Sequence, residues 1–356
     1  MHEIVKEGKA LIKIKKEEKI SKKMEVFYNP VMKLNRDISI LLLSCIDSNN
    51  MRIALPLAGS GVRGIRFLKE LNKDKIRSIS FNDYSEKAVK SINANLSLNK
   101  IKDKDKVSVF NEDANLFLLN SKGFDYIDID PWGTSNFFLD AAVKRLSRRS
   151  ILAVTNTDTA ALTGTYPKAC IRKYWALPKR DYMMHETGLR ILIRKIQLIG
   201  MQYEKSLIPV FSYYREHYFR IFFQCIKGKK YVDEIAKQQG MHENTGPLWK
   251  GNLWDIKLAK NMLNATIKLK HHLDMDDEAI KLLRLIAEES KLNAIGFYDI
   301  HYIAKKEKLR TLMKKEDIIK KIRKNGFKAS ATHFSGTGIR CNAPYSYVDG
   351  LLKGNC

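Results

Sequence analysis

The chain has 356 residues and carries 64 Lys and Arg against 39 Asp and Glu, a formal net charge of +25. It is 44% hydrophobic, enough for real cores, yet no segment approaches the roughly 20 apolar residues of a membrane span. Cys45, Cys170, Cys225, Cys341 and Cys356 are scattered without a CxxC pair, which excludes a disulfide framework and a thiolate metal site. The N-terminus alternates charged and apolar residues and has no signal-peptide run, so a reducing, cytoplasmic setting is expected. The basic excess points to a polyanion, with Lys-rich composition bias as the plainer reading; heat-adapted Lys-rich proteins usually balance Lys with Glu.

Residues 1–23 mix Lys, Glu and Ile in strand-like alternation and read as a hairpin or arm. Pro30 restricts Asn29 and opens a helix over Val31 to Cys45. A strand from Met51 runs into Gly59-Ser-Gly-Val-Arg-Gly, a GxGxxG loop between a strand and an amphipathic helix (Ile65 to Leu71). Gly59 and Gly61 let a ligand approach the backbone at a helix N-terminus. The next strand, Ile76 to Phe81, ends at Asp83, a carboxylate suited to both hydroxyls of a ribose. Asp83 also reads as a loop acid capping the helix from Ser85. The loop itself serves NAD, FAD and S-adenosylmethionine alike.

A helix (Ser85 to Leu98) and a strand (Val107 to Phe110) lead to Glu112-Asp113-Ala114, where an acidic residue could hydrogen-bond an adenine amino group. Helix Asn115 to Leu119 precedes the strand Asp125-Tyr-Ile-Asp-Ile-Asp, closed by Pro131, Trp132 and Gly133. Pro131 removes a backbone donor and ends the strand. Asp130, Pro131 and Trp132 therefore stand at the carboxyl end of a strand, where α/β sheets bind ligands. This is the chemistry an exocyclic amine needs. Its lone pair is delocalised into the ring until a carboxylate and a carbonyl accept its hydrogens, while an aromatic face holds the base flat. The plainer reading is a strand end with an exposed Trp.

Helix Asn136 to Leu146, strand Ser150 to Thr155, helix His185 to Gln197 and an antiparallel pair (Tyr203 to Phe211, His217 to Cys225) complete a sheet. A linker-like insert follows, Lys227 to Asp255. Helices Lys257 to Leu273, Asp276 to Ser290, Tyr298 to Lys305 and Lys315 to Asn325 then lead into a basic hairpin. That order suggests a winged-helix-like nucleic-acid module, or a generic α/β partner domain.

These stretches resemble the archaeal and eukaryotic tRNA (guanine(26)-N2)-dimethyltransferases. The resemblance rests on Phe27-Tyr-Asn-Pro-Val-Met-Lys-Leu-Asn-Arg, the glycine loop, Asp128-Ile-Asp-Pro-Trp-Gly and, above all, the run from Thr155 to Tyr174. His185-Glu-Thr-Gly-Leu-Arg, His217-Tyr-Phe-Arg, Gly246-Pro-Leu-Trp and Thr332-His-Phe-Ser-Gly-Thr-Gly-Ile-Arg extend it over most of the chain. It implies an α/β fold: a class I, Rossmann-like methyltransferase domain with a smaller C-terminal α+β domain. The expected division is a catalytic domain with its arm over 1–226, a connecting insert over 227–255 and a tRNA-binding domain over 256–356.

The resemblance further implies S-adenosyl-L-methionine against the glycine loop, with Arg36 and Arg66, or Arg63, at its carboxylate. Asp83 would take the ribose, Asp113 with Ala114 the adenine. Asp130 becomes the catalytic carboxylate, with Phe27, Pro131 and Trp132 around the guanine. From the residues alone, Arg36 reads as a helix-surface arginine paired with an acid. Leu55-Pro56 replaces the acid often found after the first strand, which leaves the methionine amine without an assigned partner. Trp132 stands where phenylalanine is usual. Relatives often carry paired cysteines before Gly-Pro-Leu-Trp, but the insert here has none, so no metal is expected. The expected partner is tRNA, bound by a monomer that does not enter the membrane. The rivals are an amine methyltransferase acting on another nucleic acid or a glutamine amide, an NAD-dependent oxidoreductase, and a non-catalytic RNA-binding protein.

Overall fold

The computed structural model describes residues 2–15, 24–103, 105–309 and 311–354, with the side chains of 269–273 set aside. Residues 16–23 of the expected arm and Cys356 lie outside the described residues. The chain opens with a hairpin, β1 (His2–Glu7) and β2 (Ala10–Lys15), followed by α1 (Lys33–Cys45). Next come β3 (Met51–Leu55), α2 (Val62–Glu70), β4 (Ile76–Asn82), α3 (Glu86–Leu98), β5 (Val107–Phe110), α4 (Ala114–Leu119) and β6 (Phe124–Ile129). Then follow α5 (Leu139–Arg145), β7 (Leu146–Asn156), α6 (Thr159–Leu162), α7 (Pro167–Tyr174), α8 (Met184–Met201), β8 (Lys205–Arg215) and β9 (Tyr218–Lys227).

Seven strands form one sheet in the order β5-β4-β3-β6-β7-β9-β8. Strands β3 to β7 pair in parallel, while β9 runs antiparallel between β7 and β8. Parallel strands are covered on both faces, which is why β6 buries every residue but Asp125 and β7 buries Ser150 to Asn156 without a break. Pro209 is tolerated because β8 is the edge strand and shifts register there. Side-chain caps set the helix starts: Ser85 accepts from Ala88 N–H, and Asp113 from Asn115 and Leu116 N–H. The N-terminal hairpin docks on α3, where Asn95 and Asn99, one turn apart, accept the β2 amides of Lys13 (2.7 Å) and Leu11 (2.9 Å).

The insert is not a linker. It folds as α9 (Lys229–Ala236), β10 (Gln239–His242) and β11 (Thr245–Trp249), and it buries Leu248, Trp249, Leu253 and Trp254. Four apolar residues within seven positions outweigh the surrounding Lys and Gly. Beyond lie α10 (Ile256–Leu273), α11 (Asp277–Glu289), β12 (Tyr298–Asp299), α12 (Ile300–Lys306), α13 (Lys315–Lys324), β13 (Ala329–Ala331), β14 (Gly338–Cys341) and α14 (Tyr345–Leu352). The main core continues into α10 and α11, and a second, smaller core gathers Ile300, Ile318, Ile322, Ile339 and Val348.

A buried ion network welds this C-terminal half to α8, which packs on the seven-stranded sheet. Arg340 on β14 reaches Glu186 on α8 (2.5 Å) and Glu289 on α11 (2.9 Å), with all three side chains 0% exposed. Arg190 pairs with Glu186 at 2.8 Å, and His333 Nδ1 lies 2.7 Å from Glu289. Burial pushes the Glu186 carboxyl up, but Arg340 and Arg190 overcome it and hold it at about 2.

Candidate active site

The strand order reverses between β3 and β6, and ligands of open α/β sheets bind outside the carboxyl ends of the strands at such a point. A cleft lies there, lined by Phe27, Asn29, Arg36, Gly59, Arg63 and Asp130 among others. Gly59 has φ +55°, and a Cβ on it would sit 2.9 Å from the carbonyl oxygen of Phe27. Gly61, at φ +79°, is the cap residue of α2. A Cβ on Gly64 would strike the Phe81 ring at 2.3 Å, so this glycine lets α2 lie against β4.

The acids take their places strand by strand. One oxygen of Asp83 accepts the Gly59 N–H (2.8 Å) and the other the Ser85 N–H (3.0 Å). Asp83 therefore holds the glycine loop and leads into α3, with a lone pair free on each oxygen. Asp113 uses Oδ1 to cap α4, ahead of the buried Ala114. Oδ2 is left over.

The three arginines separate. Arg36 lines the cleft, but Glu7 of the hairpin holds its Nε and Nη2, each at 2.6 Å. It is therefore buried and paired, not a helix-surface residue. Arg66 is fully buried among Glu7 (3.0 Å), Asp37 (2.7 Å) and Glu70 (2.9 Å). Burial raises the Glu7 carboxyl, and Arg36 with Arg66 outweighs it, leaving it at about 2. Arg63 points to the end of β6: its Nη2 bonds Asp130 and Asn35, and its Nη1 bonds Ser39 at 2.9 Å.

Beneath Asp130 the network continues inward. Arg220 on β9 grips both oxygens of Asp128, at 2.8 and 2.7 Å, and reaches Ser39 and Thr155, each at 2.9 Å. Tyr126 donates to Asp128 at 2.6 Å. Burial works to raise the Asp128 carboxyl, but Arg220 and Arg63 hold it below the usual range. Asp130 differs in one respect: its side chain is 23% exposed and opens into the cleft. Trp132, half exposed, meets Phe27 edge to face at 5.5 Å.

Sequence reasoning did not single out Glu7, Asn35, Ser39 or Asp128 as members of the site, nor Arg220. Arg220 had a legible signal, since a lone Arg inside Tyr218-Phe-Arg-Ile-Phe-Phe must be buried and therefore paired. Glu7 had none.

Comparison with known proteins agrees with this geometry. A model of the N2,N2-dimethylguanosine tRNA methyltransferase family matches residues 8–244 and 236–353. The tRNA (guanine(26)-N(2)/guanine(27)-N(2))-dimethyltransferase of Aquifex aeolicus is 35% identical, covering 97% of this chain and 94% of its own. The tRNA (guanine(26)-N(2))-dimethyltransferase of Methanocaldococcus jannaschii is also 35% identical, covering 97% of each. The solved complex of Trm1 from Pyrococcus horikoshii with S-adenosyl-L-methionine superposes with a TM-score of 0.89 at 34% identity, over 97% of this chain and 98% of that one. The match runs nearly end to end, and the chain belongs to the N2,N2-dimethylguanosine tRNA methyltransferase family.

Proposed function

We propose that the protein dimethylates the exocyclic N2 amine of guanine 26 in tRNA, consuming two molecules of S-adenosyl-L-methionine. One observation carries this reading. Asp130 lines the glycine-loop cleft while Trp132, two residues on, lines an adjoining cleft, so the Asp-Pro-Trp-Gly turn is the partition between them.

The donor set suits the cofactor. The Asp83 carboxylate keeps a free lone pair on each oxygen for a ribose diol. Asp113 keeps Oδ2 for an adenine amine, and Arg36, whose Nε and Nη2 are held by Glu7 and the Asn29 carbonyl, has Nη1 to offer a carboxylate. When bound, the cofactor supplies an electrophilic methyl group on sulfonium. Asp130 and the Pro131 carbonyl would accept the two amine hydrogens and localise the nitrogen lone pair toward that methyl. Each transfer makes one N–C bond, breaks one S–C bond and releases one proton, which Asp130 takes up or relays.

The C-terminal half supports tRNA binding. The elements α11-β12-α12-α13-β13-β14, with sheet order β12-β14-β13, have a winged-helix-like arrangement, and α13 exposes Lys320, Lys321, Arg323 and Lys324. We assign residues 1–226 to catalysis, 227–255 to the connection and 256–356 to tRNA binding, in a monomer acting in the cytoplasm. Among the described residues no helix is long and apolar enough to cross a membrane. The test is incubation of an unmodified tRNA transcript with methyl-labelled cofactor, followed by nucleoside analysis. Mono- and dimethylguanosine at position 26 are expected; no label in tRNA overturns the reading.

A further inference from the structure

The second cleft holds more than the Trp132 face. It adjoins the cofactor cleft at Asn29 and Met32, which line both. Its far wall is built from Thr157, Asp158 and Lys173, and that wall is braced. Thr157 Oγ1 accepts the Gly133 N–H at 2.6 Å and so ties the end of β7 to the catalytic turn. The Tyr174 hydroxyl, 3.0 Å from Asp158 Oδ2 and 3.1 Å from Thr134, receives Asn156 Nδ2 at 3.1 Å. Lys173 Nζ lies 2.9 Å from the same Asp158 oxygen. Among the described residues Asp158 Oδ1 takes no hydrogen bond, and the Lys173 ammonium has donors to spare. The side chains are 20% and 44% exposed, so both are reachable from the cleft.

We propose that the Asp158–Lys173 pair selects guanine by reading its Watson–Crick edge, an inference that rests on the N2-methylation reading above. Along that edge guanine presents the N2 amine, then the N1–H donor, then the O6 acceptor. With N2 at Asp130, a carboxylate beside it meets N1–H and an ammonium beyond it meets O6. Adenine offers the reverse order, an N1 acceptor and an N6 donor, and would set a lone pair against the Asp158 carboxylate. Bases taken out of their stack are read in this way, by hydrogen bonds on the Watson–Crick edge. Asp130 alone cannot discriminate, since any exocyclic amine satisfies it. Asp158 and Lys173 are thus specificity residues and Asp130 the catalytic one.

The experiment uses the full chain and tRNA assembled with either guanine or 2-aminopurine at the target position. The analogue keeps the C2 amine but lacks O6 and turns N1 into an acceptor. Wild type should strongly prefer guanine in kcat/KM. Asp158→Asn should lose about 10–100-fold on guanine, the effect of one hydrogen bond to a charged group. It should lose little on 2-aminopurine, because the Asn amide can donate to N1, so the preference collapses. Lys173→Met should lower guanine methylation and leave the analogue untouched. If Asp158→Asn depresses both substrates equally, the residue only braces Tyr174 and the proposal fails. If Lys173→Met weakens both equally and in proportion to salt, Lys173 holds a phosphate and the O6 contact fails. Absence of any methylation of guanine by the wild type would overturn the parent reading instead, and is distinguishable from both.

Discussion

Two buried arginine–carboxylate networks divide the molecule, and they differ in whether they open. At the weld, Arg340, Glu186 and Glu289 are all 0% exposed, and each charge faces another charge. Under the cleft, Arg220, Arg63 and Asp128 are nearly as enclosed, at 0%, 9% and 1%, yet the chain of contacts ends at Asp130, 23% exposed. The first network spends its charges entirely on itself. The second carries the same chemistry to a surface and leaves one carboxylate with capacity for a substrate. Buried ion pairs are poor evidence of added stability, but breaking one strands a charge at high cost. The half-open end is therefore where function shows.

The largest expected effect comes from breaking the closed network. Arg340→Met removes the guanidinium that Glu186 and Glu289 share, leaving Arg190 on the one and His333 on the other, and should cost about 3–5 kcal/mol, read as a fall in the denaturant midpoint. A variant as stable as wild type would show that the weld is not needed. Asp130→Asn is the matching cut at the open end. Turnover should drop by about 10²–10⁴-fold while stability and both binding affinities hold. Wild-type turnover in a folded Asn variant would remove Asp130 from the mechanism.

Smaller effects sharpen the contrast. Asp83→Ala should weaken cofactor binding by about 1.5–3 kcal/mol, measured by calorimetry, since a charged acceptor is lost. Acid should strain the weld and the separate Glu7–Arg36–Arg66 cluster together. Glu7 and Glu186 are each held at about 2 in the fold against an ordinary 4.5. A depressed carboxylate stabilises the fold above its unfolded pKa, and that contribution fades as pH falls through the folded one. Unfolding midpoints should therefore be level above pH 4.5 and decline from there toward 2. A flat profile across that window contradicts the pairing. The smallest change is expected on the exposed cations: Lys321→Ala should lower the slope of log affinity for tRNA against log salt by about 1. An unchanged slope would take α13 off the tRNA.

The legible part of this molecule is what local pattern controls. The strands β3 to β7, the loop at Gly59 to Gly64 and the acids at 83, 113 and 130 follow from alternation, glycine spacing and position after a strand. Pairings across long separations were not legible. Glu7 meets Arg36 from 29 residues away and Asp128 meets Arg220 from 92, and only topology brings them together. Arg36, Arg63 and Arg66 look alike in sequence, yet one lines the cleft, one bonds Asp130 and one is enclosed by three acids. The helices α6 and α7, of 4 and 8 residues, are too short for periodicity to reveal. The insert misled because its two Trp and two Leu were outnumbered by polar neighbours.

The weld also sets a clock on synthesis. Glu186 leaves the ribosome 154 residues ahead of Arg340, the second of its two arginine partners. At about 5–20 residues per second, that is a wait of about 8–30 s. During it, closing α8 against α11 would bury Glu186 with Arg190 alone and Glu289 with neither Arg340 nor His333, so that seam stays wet until the chain is nearly finished. The network beneath Asp130 is complete once Arg220 has emerged. A nascent chain thus assembles its catalytic sheet early and seals itself late, and a chain cut short of β14 carries an open, acidic seam that marks it as unfinished.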